Sequence, residues 1–426
     1  MARQSETILL KELELERYYL QYWMDAKKEP RFRRNRYFFL QQLASAGGLS
    51  SNILLINELG KNLGTPDRVS PGLLRTSNQI FIASNSAAAT ASTFELLSNA
   101  YTALKNKKQK RDPKTAANEF LRRVKEIDAL LIQRQLYLHN IPDSRIKAVL
   151  VEEGNLLEHL RDWCVCDLTD IYADVKSYQA GNSAFFALDA TANWMLAASW
   201  IVALRSVDRS SLNGVGIISS LPGDVVLAIS APLSSRIGNY LSKHNKKKIC
   251  RMLNEEPKEM ASETDISIKK IEQLTQGMDE HSRILSDSLF DRLAISKTWS
   301  NRCVEFIQDR EDDFRHLNKV AAQQNIAGPI LGAMFAEQDI ADTFAYYNYT
   351  PRSDRTVNAV AFSGNIMAGT AAAASIGLTA WNYIGEIKHR RKLLRTNTDP
   401  EQLLKGRLLA IDQLESNLKN KGKLSR

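Results

Sequence analysis

The sequence predicts an all-α protein: a polytopic helical membrane protein of three pseudo-repeated helical hairpins joined by amphipathic cytosolic helices. Glycine and proline are sparse, with 20 and 11 among 426 residues, and Leu/Glu/Lys/Arg/Gln-rich stretches favour helix over many short strands. One ordered set of features recurs three times along the chain. In each recurrence, apolar segments rich in small residues precede a basic run, as membrane helices precede a cytoplasmic flank.

The first predicted element is an amphipathic helix over residues 1–29. A secretory signal has a basic start followed by an apolar run, and this stretch lacks that order. We therefore expect the N-terminus to stay in the cytosol. The apolar side chains of this helix are Ile8, Leu9, Leu10, Leu13, Leu15, Tyr18, Tyr19 and Trp23.

Three stretches share one order of features: a tyrosine, a basic run, an acidic-Pro pair and an apolar helix start. Pro113 and Pro257 are 144 residues apart, and Pro257 and Pro400 are 143 apart. Proline suits the first turn of a helix, and the acid before it can cap free N–H groups. We predict three units from this recurrence. They span residues 1–130, 131–274 and 275–426, with hairpins at 37–104, 183–241 and 326–385.

Each predicted hairpin consists of two apolar segments that contain many Ser, Ala, Gly, Asn and Thr residues. The segments are 37–57 and 76–94, 183–204 and 215–233, and 326–336 and 356–385. A membrane helix needs about 20 predominantly apolar residues, so the segment 326–336 is too short. Small residues let helices approach closely in a bilayer, and Gly364, Gly369, Ala373 and Gly377 would give the last segment one smooth face.

Charge placement orients the hairpins. The chain has 57 basic and 48 acidic residues, and each hairpin runs into a basic run. Because cytoplasmic flanks are rich in Lys and Arg, we expect both termini in the cytoplasm and up to six spans. The runs would contact anionic lipid headgroups or another anionic partner, and they lack the aromatic residues that stack on nucleic acid. Their residues are Lys105, Lys107, Lys108, Lys246, Lys247, Lys248, Arg390, Arg391 and Lys392.

Asp189 and Asp224 interrupt the two segments of the second hairpin. A carboxylate in the hydrocarbon region is costly, which makes both candidates for an intramembrane polar site. Each also has a structural explanation. Asp224 follows Pro222 and Gly223 and would cap a helix, and Asp189 lies near the start of its segment and could reach the membrane interface.

Between the hairpins lie charged helical stretches with apolar stripes, such as Leu121, Val124, Ile127, Leu130 and Leu131. Ile268, Ile271 and Leu274 form a second stripe, and Leu404, Leu408, Ile411, Leu414 and Leu418 a third. Such stripes are packing faces within a chain, or alternatively a face for a helical partner or a second copy. Similarity between the units suggests a pseudo-threefold arrangement.

Enzyme chemistry is not indicated. Phosphate-binding glycine loops, zinc-protease motifs and nucleophile elbows are absent from the sequence. Cys164, Cys166 and His159 lie close together, but they lack the further ligands of a metal site, and four cysteines without a framework suggest a reducing compartment. We expect no catalytic residue, cofactor or metal.

The sequence therefore favours an integral membrane protein with a structural, organising or pore-like role. One alternative is a soluble helical protein that inserts its hairpins conditionally, as pore-forming proteins do. Another is a soluble helical scaffold that binds an anionic partner. In a transporter, which also commonly contains repeats, Asp189 or Asp224 would line a cavity near the midplane.

Overall fold

The computed structural model describes residues 2–26, 31–109, 111–209, 215–253, 261–275, 294–298, 323, 325–345, 354–396 and 400–424. In these residues all regular structure is helical, which confirms the predicted all-α class. The helices are α1 (Ala2–Ala26), α2 (Arg31–Lys61), α3 (Pro71–Lys108), α4 (Pro113–Leu138), α5 (Ser144–Ser206), α6 (Val215–Ile218), α7 (Leu221–Leu253), α8 (Ala261–Thr275), α9 (residues 325–345), α10 (Asp354–Thr396) and α11 (Pro400–Leu424).

In two of the three acidic-Pro pairs, the proline is the first residue of a helix. Asp112 caps α4, where its carboxylate accepts a hydrogen bond of 3.2 Å from the backbone N–H of Thr115, and Pro113 is the first residue of the helix. Pro400 likewise begins α11. The third pair, which contains Pro257, lies outside the described residues. The missing N–H of proline is no loss at this position, because the first helical turn leaves its N–H groups free.

One end of the molecule is a helical bundle, here called the base, made of α1, α4, the N-terminal half of α5, α8 and α11. In it α1 packs against α4, α5 and α11, and α5 packs against α4 and α8. The apolar stripes seen in the sequence meet inside this bundle in one core. Its buried members include Ile8, Leu13, Tyr19, Trp23, Val124, Ile127, Leu131, Leu157, Leu160, Ile268, Ile271, Leu404, Ile411 and Leu418.

Of the remaining helices, all but the short α6 form a closed cycle, here called the ring: α2, α3, the C-terminal half of α5, α7, α9 and α10. Contacts join α2 to α3, α3 to α5, α5 to α7, and α10 back to α2. Gly332 of α9 lies against Ala228 of α7, and Gly364 of α10 lies against Ala341 of α9. These contacts complete the cycle. The segment 326–336, too short by sequence, is part of the longer α9.

Two glycines set the spacing of helices in the ring. A Cβ atom on Gly332 would lie 2.5 Å from the Cβ of Ala228, and one on Gly364 would lie 2.7 Å from the Cβ of Ala341. A Cβ on Gly377 would meet no atom within 4 Å. The smooth face expected on α10 is therefore divided, because Gly364 faces α9 whereas Gly377 is open.

At the end of the ring far from the base, a small apolar cluster and polar contacts tie the helix ends together. The rings of Phe81 and Trp200 stack with centroids 4.3 Å apart. The side-chain amide of Asn358 donates to the backbone carbonyl oxygens of Asn62, at 3.2 Å, and Asp67, at 2.8 Å. The start of α10 is thereby attached to the connection between α2 and α3.

Gly332→Ala and Gly377→Ala should have opposite effects on stability. Both substitutions remove a helical glycine, which favours the helix by roughly 0.5–1 kcal/mol. At Gly332 the new methyl group would overlap Ala228 and force α7 and α9 apart, at a cost of about 1–3 kcal/mol. Thermal unfolding followed by circular dichroism should therefore show a lower midpoint for Gly332→Ala and an unchanged or higher one for Gly377→Ala. Equal midpoints would contradict the packing of α7 on α9.

Candidate functional site in the polar interior of the ring

The ring buries polar side chains between its helices and exposes large apolar ones. The buried polar residues include Ser51, Asn52, Ser77, Ser92, Asp189, Asn193, Ser220, Asp224, Gln338, Asp339, Asp342, Asn358 and Asn365. The exposed apolar residues include Phe39, Leu43, Phe94, Leu97, Trp194, Ile201, Val225, Ile229, Ile330, Ile340, Phe344 and Trp381. The core of the base, by contrast, is formed mainly by Leu, Ile, Val and aromatic side chains, which is the usual pattern in water, where apolar side chains fill the interior.

Asp189 lies where α5 meets α2 and α3. The amide of Gln41 donates to its carboxylate at 3.3 Å, and the hydroxyl of Ser92 donates to the same oxygen. Its backbone carbonyl accepts a hydrogen bond of 2.8 Å from the side chain of Asn193. The side chain is buried between these helices.

Asp224 lies in a different contact, between α7 and α9. Because α7 begins at Leu221, Asp224 is inside the first turn of the helix and not before it. Ser220, just before this helix, links it to α9: its hydroxyl donates to the carboxylate of Asp339, and its carbonyl accepts 3.1 Å from the backbone N–H of Asp224. Asp224 and Asp339 are 3% and 4% exposed. The structure thus separates Asp189 from Asp224 and brings Asp224 to a second carboxyl.

A third buried carboxyl extends this group to α10. Asp342 accepts a hydrogen bond of 3.4 Å from the amide of Asn365, and Asn365 accepts one of 3.0 Å from Gln338. We call Asp224, Asp339 and Asp342 the carboxyl cluster. Sequence analysis missed Asp339 and Asp342 because they follow a segment judged too short to span. Their helical spacing with Gln338 was the available signal, since all three fall on one face of a helix.

The predicted basic residues lie at the ends of α3, α7 and α10 nearest the base. Lys246 forms a salt bridge of 2.6 Å with Asp170 of α5 and is half-buried, as is Arg390. The exposed members are Lys105, Lys107, Lys108, Lys247, Lys248, Arg391 and Lys392. One aromatic residue precedes each run on the same helix: Tyr101, Tyr240 and Trp381, which are 69%, 68% and 72% exposed.

Three of the four cysteines lie on α5 and α7. Cys164 is buried in the base core, and Cys166 and Cys250 are half-buried. Burial, together with the nearby Asp170 and Asp167, raises the pKa of the Cys166 thiol to about 11, so it is a poor nucleophile at neutral pH. In the part of the chain that is described, no three His, Cys, Asp or Glu residues are arranged to hold a metal ion. Cys303 lies outside that part.

Comparisons with known proteins give no relative. No protein family matches the chain, and neither the curated proteins nor the solved structures contain a match. A proposal for its function therefore rests on the residues and contacts described above.

Buried charges in the base are paired. Arg134 of α4 donates 2.8 Å to Glu153 of α5, and its guanidinium also donates 3.0 Å to Ser5 of α1. Arg407 of α11 pairs in the same way with Glu16 of α1. Removing one partner of such a pair would leave an uncompensated buried charge, so these pairs hold α4 and α11 in one orientation on α1.

Glu12 of α1 is the exception among the buried carboxylates described in the base. It is fully buried, and neither carboxyl oxygen has a hydrogen-bond partner. Burial raises the pKa of Glu12 well above its ordinary value, Arg161 opposes this rise and Asp162 adds to it. The folded chain thus binds this proton more tightly than the unfolded chain. The contribution to stability is present at low pH and is lost as the pH rises from the ordinary carboxyl pKa through the raised one.

Glu12→Leu should stabilise the base, most of all at alkaline pH. The substitution replaces an unsatisfied buried polar group with an apolar one, which is worth about 1–3 kcal/mol. Glu14→Leu is the matched control, because Glu14 lies on the same helix but pairs with Lys11 at the surface, so a change below about 0.5 kcal/mol is expected. Unfolding midpoints from pH 5 to pH 9 test both. An unchanged pH dependence in Glu12→Leu would contradict the assignment.

Proposed function

We propose that the chain is an integral membrane protein whose ring spans a lipid bilayer and whose base and termini lie in the cytoplasm. Its role is structural, organising or pore-like, without catalysis. The observation that carries the proposal is the set of polar groups buried between the helices of the ring together with the large apolar groups exposed on its outside.

A bilayer explains both halves of this distribution. Lipid tails accept apolar side chains on the outer surface, whereas polar side chains within hydrocarbon must find partners inside the protein. On α7 the exposed residues Val225, Ile229 and Leu233 follow each other at four-residue spacing and form one outward stripe. In the α2–α3 contact, the hydroxyl of Ser51 donates 2.9 Å to the backbone carbonyl of Ser77. Water would favour the opposite arrangement.

Hydropathy alone identifies fewer spans. Of the described helices, α5 and α10 are long and apolar enough to cross a membrane, which is weak evidence because core helices of soluble proteins pass the same test. The other ring helices have lower average hydropathy since they carry Ser, Asn, Thr and Asp. An average over a helix includes the polar face that the ring buries, so it understates how apolar the lipid-facing side is.

The boundary between ring and base has the composition of a membrane interface. Tyr101, Tyr240 and Trp381 are amphipathic aromatic residues of the kind enriched at headgroup depth, and a basic run follows each one. Exposed Lys and Arg at that depth attract anionic headgroups of the cytoplasmic leaflet. Anionic lipid is therefore the proposed partner of these runs.

The threefold recurrence in the sequence fits this proposal. Each predicted unit would contribute two helices to the ring, α2 and α3, α5 and α7, or α9 and α10. The helix after each basic run, α4, α8 or α11, would lie in the base. A pseudo-threefold axis through ring and base would follow.

Conditional insertion is the second candidate. Glu337 is exposed on α9, two turns before the helix ends, and a bilayer would have to accommodate this charge near its surface. The base has an apolar core of its own, so it has the packing of a water-soluble bundle. A soluble state would need the outer face of the ring to be covered, for example by further copies of the chain.

Alkaline-carbonate extraction of membranes from cells that express the full chain tests the proposal. An integral protein should remain in the pellet and be released by detergent only, because carbonate does not remove apolar surface from lipid. Release into the carbonate supernatant would overturn the six-span proposal. A chain that is soluble when synthesised and resists carbonate only after exposure to membranes would indicate conditional insertion.

Lys247→Gln combined with Lys248→Gln should weaken the preference for anionic lipid. Each juxtamembrane charge contributes about 1 kcal/mol, so loss of two charges, about 2 kcal/mol, should reduce retained phosphatidylserine relative to phosphatidylcholine roughly thirtyfold. The measurement is the lipid that stays bound to detergent-purified protein. Lys125→Gln removes an exposed charge from α4 in the base and should leave the ratio unchanged. Equal losses in both variants would show that net charge, and not position, determines the binding.

A further inference from the structure

The carboxyl cluster places two buried carboxyls side by side in one helix contact. The backbone N–H of Asp224 donates 3.1 Å to the carbonyl of Ser220, and the hydroxyl of Ser220 donates to Asp339. Ser220 thereby holds both residues at the α7–α9 contact, where they are 3% and 4% exposed. An ionised carboxylate has acceptor oxygens only, so the two side chains can bond to each other only when one of them carries a proton.

The surroundings give no other neutralising group. Among the described residues, no Lys or Arg forms a salt bridge with Asp224, Asp339 or Asp342. In addition, Oδ2 of Asp224 is buried without a hydrogen-bond partner. Two buried carboxylates in contact repel each other strongly, and a shared proton relieves this repulsion. The observation that points to a ligand is this unpartnered oxygen at the centre of a buried acidic pair.

The groups that face the pair come from four helices. On α9 the titratable neighbour is Asp342, which is itself a buried carboxyl. The helix α10 contributes the neutral amide of Asn365, which is held by Asp342 and Gln338. Next to Asp224 on α7, Gly223 packs against Leu196 of α5. Hence the described surroundings are acidic, neutral or apolar.

We propose that Asp224 and Asp339 form a proton-binding site that closes the ring between α7 and α9. With one proton on the pair, one carboxyl donates to the other and the two helices stay together. When that proton leaves to solvent, two carboxylates face each other with the Ser220 hydroxyl as the donor that remains to them, and the helices separate. The site makes closure of the ring dependent on pH. It goes beyond the proposed membrane role and depends on the α7–α9 contact alone.

Disulfide trapping across α7 and α9 tests this site in the full chain purified in detergent, with its four cysteines replaced by alanine. Ala231→Cys with Gly328→Cys is suitable, because the Cβ of Ala231 lies 3.8 Å from the position of a Cβ on residue 328. The control pair Asn52→Cys with Gly369→Cys joins α2 and α10, with a corresponding distance of 3.5 Å. The control measures how pH affects the thiol chemistry itself.

The rate of disulfide formation between the α7 and α9 cysteines, divided by the rate for the control cysteines, should fall at least about tenfold between pH 6 and pH 9. The reason is that an unfavourable pair of carboxylate charges replaces the shared proton. With Asp339→Asn this ratio should stay constant, because an amide supplies the donor at every pH. Asp189→Asn alters a buried carboxyl outside the cluster and should leave the fall intact. A constant ratio with the native carboxyls, or a fall that persists in Asp339→Asn, would overturn the proposal. Neither result depends on carbonate extraction, so the two proposals can fail separately.

Discussion

The helix contacts of the ring depend on close packing of facing sides that carry polar side chains. Hydroxyl and amide side chains lie in these contacts, and they must be hydrogen-bonded because water is excluded. Close approach is what makes the bonds short enough, and it requires residues without bulk where the helices meet. Gly332 against Ala228 is the clearest case, since a single methyl group there would prevent the approach. Small size and polarity are therefore linked requirements of the same contacts.

The helices of the base are packed differently. Its helices bury Leu, Ile and aromatic side chains, and its buried charges occur in pairs that tie α4 and α11 to α1 and α5. α5 passes through both regions in 63 residues. Its buried face carries mainly Leu, Val and aromatic side chains in the base, and mainly alanines together with Asp189 and Asn193 in the ring.

Two kinds of buried carboxyl follow from this division. Those of the base are paired with arginine, except Glu12. In the ring, Glu95 also pairs with an arginine, Arg36, at 2.6 Å, whereas Asp189, Asp339 and Asp342 accept hydrogen bonds from hydroxyl or amide groups. Asp189 has donors from α2 and α3, which satisfy an ionised or a protonated carboxyl. The pair of Asp224 and Asp339 instead needs its own proton, so the α7–α9 contact is the part of the ring most sensitive to the state of a titratable group.

The amino-acid sequence by itself determined the helical class, the capped helix start at Asp112, the apolar stripes of the base and the interrupted segments of the ring. These are local properties, set by propensity, capping and periodicity within one helix. It did not determine which face of α10 each glycine occupies, and it did not reveal that Asp339 meets Asp224. Those facts need the partner helix, since residues more than a hundred positions apart become neighbours only when α9 packs into the ring. The threefold recurrence remains a prediction from spacing. What the tertiary structure decided is which side chains face each other, because burial and hydrogen bonding depend on the partner that fills the space.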